Sequence, residues 1–185
     1  MNNLDIQFFY AINHLTHNAL LDNTFLWIHY LTRAGLIYYP LLVAGFLWGN
    51  TYMRRFTVYC AGSMLLTYIT SDLIIKNIVQ RPRPFQAISD VIFISPAPHS
   101  YSFPSGQASV VFAIATMFFL WFPKYRLNFL VMFLALLVTF DRVYLGHHYP
   151  TDVIFGAFLG ITISCVVYYT TKMRSGKFET NKLNT

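Results

Sequence analysis

The chain has 185 residues, of which 56% are hydrophobic and only 11% are charged, whereas a soluble domain is nearer a quarter charged. Several apolar runs reach the roughly 20 residues that a helix needs to cross a bilayer, which excludes a soluble globular protein. The net charge of +6 comes without basic runs interleaved with exposed aromatics, so we expect no nucleic-acid partner. The composition predicts one domain, residues 1–185, of the all-α class: a polytopic transmembrane helical bundle whose oligomeric state stays open.

Residues 1–21 are predicted to form an amphipathic helix that lies in the membrane interface. Apolar residues recur there at helical spacing: Leu4, Phe8, Ile12, Leu15 and Ala19. Asp5 and Asn13 mark another face, and the segment is too polar to span a bilayer. Asp22 is predicted to cap the helix that follows.

Residues 24–171 are predicted to form a transmembrane core, followed by a polar tail over residues 172–185. Its five spans cover residues 24–49, 56–76, 105–122, 127–145 and 150–171. Arg33 and Gly35 interrupt the first span, and Pro40 inside it predicts a kink or a broken start. A short basic loop is expected over 51–55, and the long loop 77–103 is typical of a functional loop.

The basic residues predict how the bundle is oriented. Many of them fall on one side of the membrane: Arg54, Arg55, Lys124, Arg126, Lys172, Arg174, Lys177 and Lys182. The positive-inside rule puts this side in the cytoplasm, so the loop 77–103 and the turn 146–149 face outward. The sequence therefore predicts a bacterial inner-membrane protein whose periplasmic or outer side carries the remaining basic residues, which we assign mainly to an anionic ligand.

The stretch 140–152 carries ionisable groups between two apolar runs, where they are costly and need a reason. Asp152 lies one helical turn after His148, so its carboxylate can orient the imidazole. Arg142 adds a permanent cation across a short turn. The pattern predicts a nucleophile, a group that orients it and a cation for an anionic substrate. The alternative is a pair of histidines at the membrane border with a snorkelling arginine.

Two further segments are expected to meet residues 140–152 at the outer border of the membrane. The second span ends in Lys76, followed by Arg83 and Pro84, and the third begins with the run Pro104-Ser105-Gly106-Gln107. In order, the three segments resemble the K-x6-R-P, P-S-G-H and S-R-x5-H-x3-D motifs of the type 2 phosphatidic acid phosphatase family, whose relatives include the vanadium haloperoxidases. The resemblance covers residues 76–152.

The resemblance implies a metal-independent phosphatase that acts on a membrane lipid phosphate without a cofactor. His148 would attack phosphorus and form a phosphohistidine, and Asp152 would fix the reactive tautomer. The phosphate would be held by cationic side chains and by the free N–H groups of a helix start. These phosphate-binding residues are Lys76, Arg83, Ser105, Gly106 and Arg142.

Two positions depart from the family pattern. Asp141 replaces the serine before the arginine, and it either pairs with a neighbouring cation or faces the outer water. Gln107 stands at the general-acid position, and an amide cannot deliver a proton near pH 7. General acid catalysis is typically worth about 10²–10⁴-fold in rate.

Four explanations for Gln107 stay open. The substrate is a diphosphate whose leaving phosphate departs without help; His147 or His99 supplies the proton; the residue has been changed from the natural one; or the site binds without turnover. We interpret Arg81 as a loop or rim charge, with contact to a second phosphate as the alternative. The remaining histidines are assigned to packing or to the interface: His14, His17 and His29.

The leading hypothesis is a lipid phosphatase at the outer membrane face. Undecaprenyl diphosphate, lipid A, phosphatidylglycerol phosphate and phosphatidic acid all present a suitable phosphate. A phosphotransferase of the same fold that moves phosphate between lipids is the first alternative. A non-catalytic protein that binds lipid phosphate is the second, because Gln107 permits it.

Overall fold

The computed structural model describes residues 3–33 and 36–183, with side chains as far as Lys172. Throughout this described part, every regular element is a helix, so the all-α class is confirmed. The break expected at Gly35 and the last two residues of the polar tail lie outside the described residues.

The N-terminal segment forms two helices, where one amphipathic helix was predicted. Helix α1 spans Asn3–Asn13 and α2 spans Ala19–Thr32. The prediction that Asp22 caps α2 is wrong, because the Asn18 side chain accepts the N–H of Leu21 at the helix start. Asp22 lies inside the first turn, and its carboxylate accepts the hydroxyl of Tyr144 at 2.7 Å.

Helix α1 buries the polar residues Asp5 and Asn13 together with Phe9, and it turns other apolar residues outward. Leu4 and Phe8 are 57% and 61% exposed, whereas Asp5 is 5% exposed and Asn13 is fully buried. The Asn13 amide donates to the backbone oxygens of Ile92 and Tyr144, both at 2.9 Å. Such an inverted arrangement is stable where the surroundings are lipid, because polar groups then need partners inside the protein.

The predicted first span is two helices, α2 and α3, the latter spanning Tyr38–Trp48. Arg33 follows the end of α2, and Pro40 lies in the first turn of α3, where its missing N–H is harmless. The basic loop expected over 51–55 is instead the first turn of α4, Thr51–Tyr68, whose start is capped by Asn50.

Helix α4 continues without a break through a π-helical stretch, Ile69–Ile75, into the short helix α5, Lys76–Val79. π-Helical turns inside α-helices occur frequently at functional sites. The loop that follows contains α6, Pro84–Ala87. The continuous helix that begins with α4 therefore positions Lys76, the first residue of the first motif.

Two of the last three helices agree closely with the predicted spans, α7 as Gly106–Trp121 and α8 as Leu127–Tyr144, while α9 begins as predicted but extends over Pro150–Leu183. Helix α9 continues through most of the expected polar tail. The most extensive helix contact joins α7 and α9. Gly160 permits it, since a Cβ there would lie 2.0 Å from the Ser109 carbonyl oxygen.

Three segments of the described chain are long and apolar enough to cross a bilayer: Thr51–Ala87, Leu127–Tyr144 and Pro150–Lys172. The apolar helices α3 and α7 are shorter. Large hydrophobic side chains cover the outside, with Trp48 and Phe129 both 81% exposed. A membrane-spanning helical bundle is therefore confirmed, while the number of five spans stays a prediction.

Candidate active site

A cavity of about 610 Å³ opens where the three sequence motifs meet. Its wall combines apolar side chains with several groups that can carry charge or donate hydrogen bonds: His29, Asp72, Lys76, Arg83, Gln107, His147 and His148. Segments far apart in the sequence contribute these groups. A concave site with convergent polar groups is the usual form of a small-ligand site.

His148 presents a defined nitrogen to the cavity. An Arg83 Nη1 donates to its Nε2 at 3.2 Å, and a guanidinium has no acceptor, so Nε2 holds the lone pair. Burial, followed by the charges of Arg83, Lys76 and Arg142, lowers the pKa of His148 well below its ordinary value. The imidazole is therefore neutral, with its lone pair on Nε2 and its proton on Nδ1.

The protonated Nδ1 of His148 lies 3.6 Å from Asp152 Oδ2. This separation is longer than a hydrogen bond, and catalytic contacts often tighten only once substrate is bound. Asp152 is fully buried, and Oδ2 also accepts the Ser102 hydroxyl at 2.5 Å and the Tyr149 N–H at 2.9 Å. The carboxylate is thus fixed close to the histidine that it would orient, although His148 precedes the start of α9 at Pro150 and, contrary to the prediction, does not share a helix face with Asp152.

Arg81 joins Asp152 to helix α1, a role that the motifs did not indicate. One of its terminal nitrogens donates to Asp152 Oδ1 and the other to Asp5 Oδ2, both at 2.6 Å. Asp5 also accepts the N–H and the hydroxyl of Thr151. The available sequence signal was Asp5, the one charged residue of α1, since such a charge at the membrane needs a partner.

Lys76 and Arg83 are the buried cations of the cavity wall, 4% and 3% exposed. Lys76 forms an ion pair with Asp72, one turn earlier in the helix. Arg83 donates to the backbone oxygens of Ser100 and His147 at 2.7 and 3.0 Å. Arg83 is therefore held rigidly, while the partner of Lys76 is an acidic side chain that an anion could replace.

Ser105 and Gly106 begin helix α7 beside the cavity. The fully buried Ser105 accepts the N–H of Ala108, and its own N–H donates to the Asp152 carbonyl at 3.0 Å. Gly106 lines the cavity, and a Cβ there would lie 2.2 Å from the Asp72 carboxylate. The carboxylate of Asp72 thus occupies the electropositive helix start at which a phosphate is expected.

Arg142 lies behind the cavity wall, 1% exposed, and is not one of its lining residues. It pairs with Asp141, which selects the first of the two alternatives for that residue. One terminal nitrogen, Nη1, donates to Gln107 Oε1 and to His29 Nδ1, the latter at 2.5 Å. Gln107 in turn donates to the Thr32 hydroxyl at 3.1 Å.

His29 enters this site from α2, which corrects its assignment to packing or to the interface. Its ring stacks on that of His147, with centroids 4.9 Å apart and an interplanar angle of 20°. His147 also lines the cavity, and its Nε2 contacts the Ser95 hydroxyl at 2.5 Å. His99, the other candidate for the missing acid, is exposed and is not a lining residue.

Comparison with known proteins places this geometry in a family. A family model described as the PAP2 superfamily matches residues 56–175. The chain is 30% identical over 167 residues to the undecaprenyl-diphosphatase BcrC of Bacillus subtilis, covering 89% of this chain and 83% of that protein. Its fold is similar to the crystal structure of Aquifex aeolicus LpxE, with a TM-score of 0.74, 29% identity, and coverage of 90% of this chain and 95% of that one.

A second solved structure has a similar fold. It is a transmembrane PAP2-type phosphatidylglycerolphosphate phosphatase from Bacillus subtilis, with a TM-score of 0.70, 23% identity, and coverage of 92% of this chain and 86% of that one. The three motifs, the helical membrane fold and the family match agree. The chain therefore belongs to the PAP2 superfamily, the family of membrane lipid phosphatases that its motifs resemble.

Proposed function

We propose that this membrane lipid phosphatase hydrolyses a lipid diphosphate, with undecaprenyl diphosphate as the representative substrate, through a phosphohistidine on His148. One observation carries the proposal: the lone pair of His148 Nε2 lies in a cavity whose wall also carries Lys76 and Arg83. A neutral imidazole between two cations can attack the phosphorus of a bound phosphate.

In the first step His148 Nε2 forms a bond to the terminal phosphorus, and the bond from phosphorus to the bridging oxygen breaks. The lipid monophosphate leaves with the electron pair of that bond. The imidazole becomes positively charged, and Asp152, whose Oδ2 lies 3.6 Å from Nδ1, stabilises this charge. Water then attacks the phosphohistidine and releases inorganic phosphate, which restores the neutral imidazole.

The charge of the transferred phosphoryl group would be offset by three features of the wall. Lys76 provides a point charge, and Arg83, whose N–H groups already donate to Ser100, Tyr101, His147 and His148, adds a fixed positive charge in the same wall. The first N–H groups of α7, at Gly106, provide the partial positive charge of a helix start. Phosphoryl transfer needs chiefly such positioning and charge stabilisation, so no metal ion is required in this mechanism.

The residue at position 107 favours a diphosphate over a monophosphate. The Gln107 amide cannot deliver a proton, whereas an alcohol that leaves from a phosphate monoester needs one. The leaving group of a diphosphate is itself a phosphate, which is stable as an anion. The similarity to an undecaprenyl-diphosphatase over most of its length supports the same substrate class.

The outer face of a bacterial inner membrane is the side on which we expect catalysis. Arg54 and Arg55 lie at the start of α4, and Lys76 follows at the far end of the same continuous helix. The positive-inside rule assigns the start to the cytoplasm, so the cavity would face outward.

The test is phosphate release by the detergent-purified protein from undecaprenyl diphosphate and undecaprenyl phosphate. We expect the diphosphate to be cleaved about 10²-fold faster, because only the monophosphate needs a proton donor, and we expect EDTA to have no effect. His148→Ala should abolish turnover, while His14→Ala, which removes an exposed histidine, should not.

Three outcomes would contradict the proposal. Equal rates on the two lipids would remove the diphosphate preference. A phosphorylated lipid acceptor in place of free phosphate would identify a phosphotransferase. Binding of both lipids without any turnover by the unaltered protein would identify a lipid-phosphate-binding protein.

A further inference from the structure

His29 carries an unused hydrogen-bond donor in the catalytic cavity. Arg142 Nη1 donates to its Nδ1 at 2.5 Å. Because a guanidinium can only donate, Nδ1 holds the lone pair and the neutral ring carries its proton on Nε2. This assignment of the tautomer follows from the chemistry of the two partners alone.

The Nε2 of His29 is buried and has no hydrogen-bond partner among the residues that the structure describes. The side chain is 4% exposed, and it lines the cavity. Buried donors almost always find an acceptor, so an unpaired one in a ligand cavity points to an acceptor that arrives with the ligand.

Gln107, at the family's general-acid position, is already engaged by protein partners at both ends of its amide. Its oxygen accepts from Arg142 and its nitrogen donates to the Thr32 hydroxyl. The same Arg142 nitrogen that contacts Gln107 also contacts His29. His29 therefore lies beside the position where the family histidine would act.

The ring of His29 is held in one orientation. On one side Arg142 fixes Nδ1, and on the other the His147 ring stacks against it at a centroid distance of 4.9 Å. His147 is itself fixed by its contact with the Ser95 hydroxyl. A donor that is oriented before the substrate arrives costs no reorganisation during the reaction, which is what makes such donors effective.

We propose that His29 is a catalytic residue that replaces the missing family histidine as a neutral donor: its Nε2–H donates a hydrogen bond to the departing phosphate of a diphosphate substrate. This inference rests on the proposed function.

The step is balanced without a proton transfer. The bond from His148 Nε2 to phosphorus forms, the bond from phosphorus to the bridging oxygen breaks, and its electron pair stays on the leaving phosphate. The proton remains on His29, which stabilises the developing negative charge. A leaving group that is stable as an anion is then accepted, whereas an alcohol is not.

A matched pair of substitutions separates the two nitrogens of the ring. In His29→Asn the amide oxygen can replace Nδ1 as the acceptor for Arg142, but no donor reaches the position of Nε2. In His29→Gln the longer side chain can return a donor near that position. With undecaprenyl diphosphate we expect His29→Asn to lose about 10²-fold in kcat and His29→Gln to keep more of the activity. Tyr30→Phe, an exposed position on the same helix, is the control.

Two further measurements distinguish a neutral donor from an acid and from a structural role. The fold-decrease in kcat caused by His29→Asn should be the same at pH 6 and pH 8, because no proton is transferred. Adding Gln107→His to His29→Asn should restore turnover, since a histidine at position 107 also presents a donor to the leaving group; a purely structural role would not be rescued.

The proposal is overturned if His29→Asn turns over the diphosphate like the unaltered protein, if its loss disappears at high pH, or if Gln107→His gives no rescue. A failure of the proposed function is recognised separately. In that case the unaltered protein and His148→Ala release equally little phosphate. Only this inference is refuted if the unaltered protein is active, His148→Ala is inactive and His29→Asn has normal activity.

Discussion

The two sides of the cavity differ in how completely their polar groups are paired. On the side of the nucleophile, both oxygens of Asp152 accept hydrogen bonds, and Arg81 links that carboxylate to Asp5 on α1. Among the described residues, that side still leaves one buried donor without a hydrogen-bond partner, His148 Nδ1, whereas the opposite side leaves two, His29 Nε2 and Arg142 Nη2.

This difference indicates which carboxylate is fixed before the substrate arrives. Asp152, which would orient His148, is held by protein donors on both oxygens, although its 3.6 Å contact with His148 Nδ1 is longer than a hydrogen bond. The groups near Gln107 are satisfied only in part, so a ligand with acceptor oxygens would complete them.

The largest effect in this comparison is expected from Arg81→Lys. An ammonium group cannot reproduce the fork that holds Asp5 and Asp152 together. We expect kcat to fall about 10²-fold through a misplaced Asp152. KM should change little, because Arg81 does not line the cavity.

Arg55→Lys is the matched control, since Arg55 is exposed at the start of α4. A rise in KM with an unchanged kcat in Arg81→Lys would contradict the positioning role and would indicate that Arg81 binds the substrate directly.

A smaller effect, a gain in the affinity for phosphate, is expected from Asp72→Asn. The Asp72 carboxylate pairs with Lys76 and lies at the start of α7, where it competes with a phosphate for the same positive groups. Removing its charge should lower the inhibition constant of inorganic phosphate by about 10-fold, because the carboxylate and a phosphate bound beside it are both negative and repel each other.

Asp90→Asn is the control for this change, as Asp90 is exposed in the loop. Weaker phosphate inhibition in Asp72→Asn would mean that the carboxylate serves chiefly to position Lys76.

The smallest effect concerns stability as a function of pH. Burial is the main cause that lowers the pKa of both His147 and His148, followed for His147 by the charge of Arg142 and for His148 by that of Arg83. Below the ordinary value near 6.5, the unfolded chain binds protons at these histidines while the folded protein does not. The free energy of unfolding should therefore fall as the pH decreases from 7.5 to 5.5.

His147→Asn removes one of the two contributions and should reduce the shift of Tm over this range by about 3 °C. His14→Asn, which replaces an exposed histidine, should leave the shift unchanged. An equal shift in His147→Asn and the unaltered protein would show that His147 is not held neutral in the folded state.

Local sequence was sufficient to predict contacts and helix starts that involve residues only a few positions apart. The four-residue spacing from His148 to Asp152 predicted their proximity, and the helix start at Ser105 followed from the motif that precedes it. Composition determined the all-α membrane class. The three motifs, in order, identified the family.

The face of α1 shows where local reasoning failed. Periodicity identified an apolar face through Leu4 and Phe8, but these residues are exposed, and the buried face carries Asp5 and Asn13 beside Phe9. Hydrophobic contrast cannot decide the orientation of a helix that borders lipid, because lipid is as apolar as a protein core.

What the sequence by itself determined was the membrane fold, the order of the motifs and the proximity of His148 to Asp152, because these depend on composition and on short spacings along the chain. Only the tertiary structure decided that Arg81 joins Asp5 to Asp152 and that His29 meets Arg142, 113 positions away. Such contacts depend on how separate helices pack, and no local pattern encodes which distant side chain satisfies a buried charge.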